Sequence, residues 1–428
     1  MEGNLLKKFV GSELTLVHPA WLCVGASLAL SLLGMYAIDL GQNVSEGLNF
    51  SGLVARQGVY LLVAIIVGVL ACVPHYRVVR VFAWPLLAVV LALLVFLLIP
   101  WIPASIVRPR NGARAWIEMG AFDFQPSELA KIAVVIALAE YLRYRSNQRT
   151  WLGLIAPAAI VGVPVLLILK QPDLGMAVLF IPALGAMLLV AGARIKHLAM
   201  VVVLGLALAV PAYPLLRPHQ KARIEGLIRM VQSSGQPGGI ERVAGADDIN
   251  FQSVRSQTLA GAGQMAGVSD GKTRVLHKFN ALPERHNDMI LSVILTRFGF
   301  FGALVVFGLY AVWFVGAYLS AALCKDGFGQ LVIVGFTAIL FTQTFINASM
   351  ALGLLPIIGV TLPFVSYGGT SLVTSWLMTG LVVSVAMRRS SRLSRPTFEF
   401  DDTPYDPVKY GARRNEGGVA PVMMGRSR

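Results

Sequence analysis

The chain has 428 residues, 56% of them hydrophobic and only 14% charged, a balance that excludes both an ordinary water-soluble domain and a disordered chain. Its formal net charge of +14 does not point to nucleic acid, because the cations sit in links between greasy segments, as they do in loops retained on the inner side of a membrane. Cys23, Cys72 and Cys324 lie in or beside apolar segments without metal-type spacing and read as inert packing residues.

Apolar runs of the length an α-helix needs to cross hydrocarbon are expected at Ala20 to Ile38, Gly58 to Val73, Val81 to Ile102, Ser127 to Leu142, Leu152 to Leu169 and Leu174 to Val190. Ile195 to Leu216, the overlong Met289 to Leu323, Leu331 to Leu352 and Thr370 to Met387 follow. They predict an all-α polytopic membrane protein with about ten transmembrane helices and a large extracytoplasmic loop before the eighth. The first span has no small-residue cleavage site behind it and is expected to stay as an anchor. The expected organisation is a cytoplasmic segment over 1–19, a ten-helix membrane domain over 20–390 and a cytoplasmic tail over 391–428. The tail is polar and broken by Pro and Gly, hence disordered.

Charge sets the orientation. With both termini inside, Lys7, Lys8, Arg77, Arg80, Arg143, Arg145, Arg149, Arg194, Lys196, Lys325, Arg388, Arg389, Arg392 and Arg395 fall in the cytoplasm, while the short outer loops hold only Arg56, Arg108, Arg110, Arg114 and Lys170. That asymmetry places the polar loop of about 217–288 outside.

Three arginines on the outer face of the second outer loop (Arg108, Arg110, Arg114, with Trp116) run against the local charge bias. Arg binds phosphate oxygens through paired donors, so an anionic lipid headgroup and plain interfacial anchoring both fit. Pro126 and Ser127 then open a helix on which Glu128 and Lys131, three residues apart, share a face. Opposite charges inside a membrane face the bundle or a wet cavity, either as a functional pair or in simple neutralisation. Asp173 caps the helix that follows Pro172. The link from Asn347 to Ser371 carries no charge and alternates turn formers with apolar residues, which reads as a re-entrant segment closing a cavity.

The long loop is mildly cationic and ends in Pro283-Glu284-Arg285-His286-Asn287-Asp288, directly before an apolar run. A carboxylate at such a boundary is costly to desolvate and is either a functional group or a helix cap. No His-Glu-x-x-His, Cys-x-x-Cys or Gly-x-Ser-x-Gly occurs, so zinc and serine hydrolysis have no support. No cofactor is expected, and a divalent cation is left open.

Four stretches together resemble the FtsW/RodA/SpoVE (SEDS) family of bacterial cell-wall polymerases. They are Asn111 to Ile117 with Gln125 to Lys131, Gln171 to Gly175, Leu282 to Asp288, and Leu354-Leu355-Pro356 through Ser366-Tyr367-Gly368-Gly369. Phe122 to Pro126 and Thr361 to Phe364 lean toward the FtsW branch. The resemblance implies a peptidoglycan glycosyltransferase of the bacterial inner membrane that polymerises lipid II, with Asp288 as general base. It further implies Arg108, Arg110, Arg114, Trp116, Glu128, Lys131, Ser366 and Tyr367 around the substrate, and a class B penicillin-binding transpeptidase as partner. A lipid II flippase and a non-catalytic scaffold are the alternatives. Asn287, Met289, Gln171 and Thr296-Arg297 stand where the family pattern has Thr, Phe, Glu and an acidic pair.

Overall fold

The computed structural model describes residues 17–42, 52–103, 105–109, 113–120, 122–143, 149–200, 221, 225, 251–280, 282 and 285–388. Its helices are α1 (Ala20–Gln42), α2 (Gly52–Cys72), α3 (Tyr76–Val81), α4 (Ala83–Leu98), α5 (Pro126–Leu142), α6 (Ile155–Lys170) and α7 (Leu174–Val190). After them come α8 (Phe251–Ala262), α9 (Asp270–Asn280), α10 (Ile290–Ala322), α11 (Gly327–Ala351) and α12 (Gly369–Met387). A two-stranded antiparallel ribbon, β1 (Ile117–Glu118) and β2 (Asp123–Phe124), pairs Ile117 with Phe124 in the loop between α4 and α5.

Among the described residues, six helices are long and apolar enough to cross a membrane, and α4 and α7 are shorter apolar helices. Most of the seventh expected span, and most of the loop of about 217–288, lie outside the described residues. The third expected span divides: Phe82 leaves helical geometry at the end of α3, with its N–H turned back to Val79 O and Arg80 O, before α4 begins.

Local chemistry explains the helix starts. Pro126 at the first turn of α5 needs no N–H partner. Asp173 and Asp326 cap α7 and α11 by accepting from Met176 N at 3.1 Å and Gly329 N at 3.2 Å. The overlong span, α10, is broken at Gly299, where φ is +61°. A side chain there would strike the turn at 263–267, whose Gln264 and Met265 carbonyls accept from Phe300 N and Phe301 N. The turn at 263–267 thus takes up the backbone groups that the kink releases.

The core runs through α5, α11 and α12, whose side chains are buried almost all round. The α2–α12 contact is set by Gly68 facing Gly380, close enough that a Cβ on Gly380 would collide with the Gly68 carbonyl. Small residues of this kind let transmembrane backbones touch where lipid supplies no hydrophobic drive. Of the expected re-entrant link, Asn347 to Ser371, the two ends join α11 and α12, residues 352–368 contain no helix, and Leu362, Phe364 and Val365 are buried against the bundle.

Candidate active site

The five residues before α10 are held by their backbone. Tyr367 N donates to His286 O at 2.8 Å, Ser366 Oγ to Asn287 O at 2.7 Å, and Asn347 Nδ2 to Asp288 O at 2.8 Å. Three successive carbonyls are thereby captured by the uncharged link and by α11. The Asp288 side chain is half-buried and lies over the link: a Cβ on Gly359, where φ is +77°, would stand 3.7 Å from Asp288 Oδ2.

The link is rigidified in turn. Leu362 N donates to Ser366 Oγ at 2.7 Å, and the buried Gln57 of α2 donates to Ser366 O at 3.2 Å while accepting from Gly368 N at 3.3 Å. The Tyr367 ring lies 6.1 Å from the Tyr60 ring and meets His286 edge-on at 5.7 Å.

Glu128 and Lys131 form an ion pair of 2.7 Å with 2% and 0% exposure. Lys131 Nζ also donates to Gln343 Oε1 at 3.0 Å, and Gln343 Nε2 donates to Thr361 O at 3.0 Å. One turn along α11, on the same face, Asn347 donates to Val360 O at 2.7 Å as well as to Asp288 O. Adjacent link residues, Val360 and Thr361, therefore tie the buried ammonium group to the turn that carries Asp288.

The loop between α4 and α5 and the residue that ends it reach this frame at two points. Thr370 Oγ1 donates to Asp123 O at 2.6 Å, and Gln125 Nε2 donates to Asp173 Oδ2 at 3.1 Å. Burial pushes the Asp173 carboxyl up to about 6, against the opposing hydrogen bonds from Met176 N and Gln125. Arg114 donates to Ile102 O at 3.3 Å within its own loop, Trp116 is half-buried and Arg108 is exposed. Arg110 lies outside the described residues. Asp288, Ser366, Tyr367, Glu128 and Lys131 are thus brought into one connected frame, while Arg108 and Arg114 stand in the neighbouring loop.

Gln57, Gln343, Asn347 and Thr361 were not singled out from the sequence. The spacing of Gln343 and Asn347, four apart in an otherwise apolar helix, is the signal that marks them. Among the described residues no three His, Cys, Asp or Glu side chains gather closely enough to hold a metal ion.

Thr296 and Arg297 hold the loop helices. Thr296 Oγ1 lies 3.2 Å from His277 Nε2 and 2.8 Å from Leu259 O, and Arg297 pairs with Asp270. Arg285 Nη1 donates to His277 O at 2.9 Å, so this clamp reaches the segment before Asp288. Burial, with the Arg285 guanidinium behind it, holds the His277 imidazole down at about 4. A folded-state value below the unfolded one means stability is complete above the unfolded value and is lost as pH falls through it towards 4. Protease protection of α8 and α9 is expected to weaken between about pH 6.5 and 4, by up to about 3 kcal/mol. His277→Gln should flatten that acid limb.

A family model described as "Cell cycle protein", FTSW_RODA_SPOVE, matches residues 18–391. A probable peptidoglycan glycosyltransferase FtsW of Saccharophagus degradans is 33% identical over 353 residues, covering 80% of this chain and 86% of the relative. The stage V sporulation protein E of Bacillus subtilis is 30% identical and covers 70% and 78%. Among solved structures, a chain of a peptidoglycan synthase complex superposes with a TM-score of 0.67 at 29% identity, covering 86% of this chain and 97% of that one. The rod shape determining protein RodA of Thermus thermophilus gives a TM-score of 0.62 at 27% identity, covering 87% and 98%. With its apolar helices and this match across nearly its whole length, the chain is a multi-pass membrane protein and belongs to the FtsW/RodA/SpoVE family.

Proposed function

We propose that this protein is a peptidoglycan glycosyltransferase that polymerises lipid II into β-1,4 glycan strands for cell division or cell shape. Its relatives carry that name, and the single observation that carries the chemistry is the backbone clamp that fixes Asp288 on a rigid frame. Asp288 takes the proton of the acceptor sugar 4-hydroxyl. The freed oxygen electron pair bonds to the anomeric carbon of the lipid-linked chain, and the carbon–oxygen bond to the diphosphate breaks with inversion. The diphosphate leaves with that electron pair, and Arg108, Arg110, Arg114 and Lys131 stabilise its charge as it develops. Trp116 covers a sugar face.

The protein sits in the bacterial inner membrane with both termini cytoplasmic and Asp288 outside, and it works beside a class B penicillin-binding transpeptidase. A structural neighbour that belongs to a synthase complex supports such a partner. The purified protein, reconstituted with that transpeptidase and supplied with lipid II, is expected to produce glycan strands resolvable on a gel. A second reading as a flippase draws on the ion pair buried inside the bundle. Transfer of labelled lipid II across a liposome without strand formation would replace the polymerase with that reading.

Asn347 tests the clamp. Asn347→Leu leaves the Asp288 and Val360 carbonyls buried without their donors, at a cost of about 1–3 kcal/mol for each unsatisfied group. A base displaced by about 1 Å loses about 100-fold in rate. The expected result is a fall in kcat of that order with KM little changed, and a fall confined to KM would argue against the clamp.

A further inference from the structure

The loop helix α9 is fastened to the bundle at three places. Asp270 meets Arg297 of α10 and Tyr36 of α1, the latter donating at 2.9 Å; Arg274 pairs with Asp39 at 2.8 Å; and His277 meets Thr296 at 3.2 Å. Between Asp270 and His277 the helix advances about 10 Å, while its anchor on α10 moves by one residue, about 1.5 Å. An anchor that advances so little means that α9 crosses α10 at a steep angle rather than running along it. Since α10 spans the membrane, α9 lies close to the membrane plane.

Its depth follows from the same helices. Gly316 of α10 packs against Leu22 at the inner end of α1. From that contact to Arg297 is nineteen residues along α10, and to Asp39 seventeen along α1, or roughly 29 and 26 Å. The hydrocarbon core is about 30 Å thick, so α9 rests at its outer boundary.

The face that α9 turns to the protein buries Thr273 and His277. The opposite face exposes Lys272, Val275, Lys278 and Phe279, with Phe279 78% and Val275 49% exposed. Positions 272, 275 and 279 share one side of a helix. Met265, Phe300 and Phe301 are likewise exposed, at the kink of α10. A phenylalanine and a valine flanked by two lysines, at this depth and in this plane, match the boundary between acyl chains and anionic headgroups.

We propose that α9 is an interfacial helix that binds anionic phospholipid of the outer leaflet, with Phe279 and Val275 among the upper acyl carbons and Lys272 and Lys278 on the phosphates. This placement is independent of the glycosyltransferase chemistry and rests on the membrane orientation proposed above. It also gives the clamp at Thr296 and Arg297 a consequence: the chain leading to Asp288 is referenced to the lipid surface as well as to the bundle.

The test uses the full chain in lipid nanodiscs. Phe279→Trp, read as the difference from the parent protein, is expected to emit at a blue-shifted wavelength. A quencher attached near the lipid headgroup should quench it more strongly than one near the acyl terminus. Spin-labelled anionic lipid should associate preferentially over zwitterionic lipid, and Lys272→Glu with Lys278→Glu should reduce that preference by about fivefold for each lysine removed. Water-like, unquenched emission at position 279 would overturn the placement. Quenching that ignores lipid charge in parent and variant alike would overturn the anionic preference. Shielding that arises only on addition of the transpeptidase would overturn the lipid assignment and make this face a protein interface.

Discussion

Asp288→Asn is expected to lower strand synthesis from lipid II by about 10²- to 10⁴-fold, the range attributable to a positioned general base, while leaving the fold intact. The backbone contacts explain why the fold survives. The groups that dock this turn act on the carbonyls of His286, Asn287 and Asp288, and an amide at position 288 leaves every one of them in place. The assay needs two readouts, glycan strands on a gel and the melting temperature of the purified protein. Strand synthesis at the parent rate would remove Asp288 from the chemistry. Lost synthesis together with a lowered melting temperature would make it a structural residue.

Lys131→Met should have the largest effect on stability. The change strands Glu128, 2% exposed and 2.7 Å from the lysine, as an unpaired charge, and removal of one partner from a buried pair costs about 3–5 kcal/mol. It also takes the donor from Gln343 Oε1. Replacing both partners, Glu128→Leu with Lys131→Met, removes the stranded charge and should recover most of the melting temperature. Strand synthesis is expected to stay low in the double variant, because the ammonium group proposed for the diphosphate is still missing. Full recovery of both stability and synthesis would reduce the pair to mutual neutralisation. A single variant as stable as the parent would mean that water reaches Glu128.

The helical membrane fold was legible because apolar runs of spanning length leave the backbone no other way to satisfy its hydrogen bonds in lipid. Asp288 was legible for a related reason: a carboxylate at the end of a polar loop and the start of an apolar helix is chemically out of place. Glu128 and Lys131 declared themselves by a spacing that puts them on one helix face. Gln57 did not, since a single amide in an apolar helix is cheap to write into a sequence, and the spacing of Gln343 and Asn347 does not say what they hold, because their partners are remote. Gln57 meets Ser366, 309 positions away, and Asn347 meets Asp288 across 59.

What the amino-acid order settled without help is therefore what depends on local period and on transfer from water to lipid: apolar helices of membrane-spanning length, and which charges had to be paired or functional. Folding in three dimensions settled which groups hold which. The link from Leu352 to Gly368 has no periodicity to read, and its shape is imposed by donors from α2 and α11 that reach carbonyls no local pattern can anticipate. The position of α9 is of the same kind. Its two faces are written in its composition, but its orientation in the membrane plane follows from contacts to Tyr36, Asp39 and Thr296 that only packing against α1 and α10 supplies.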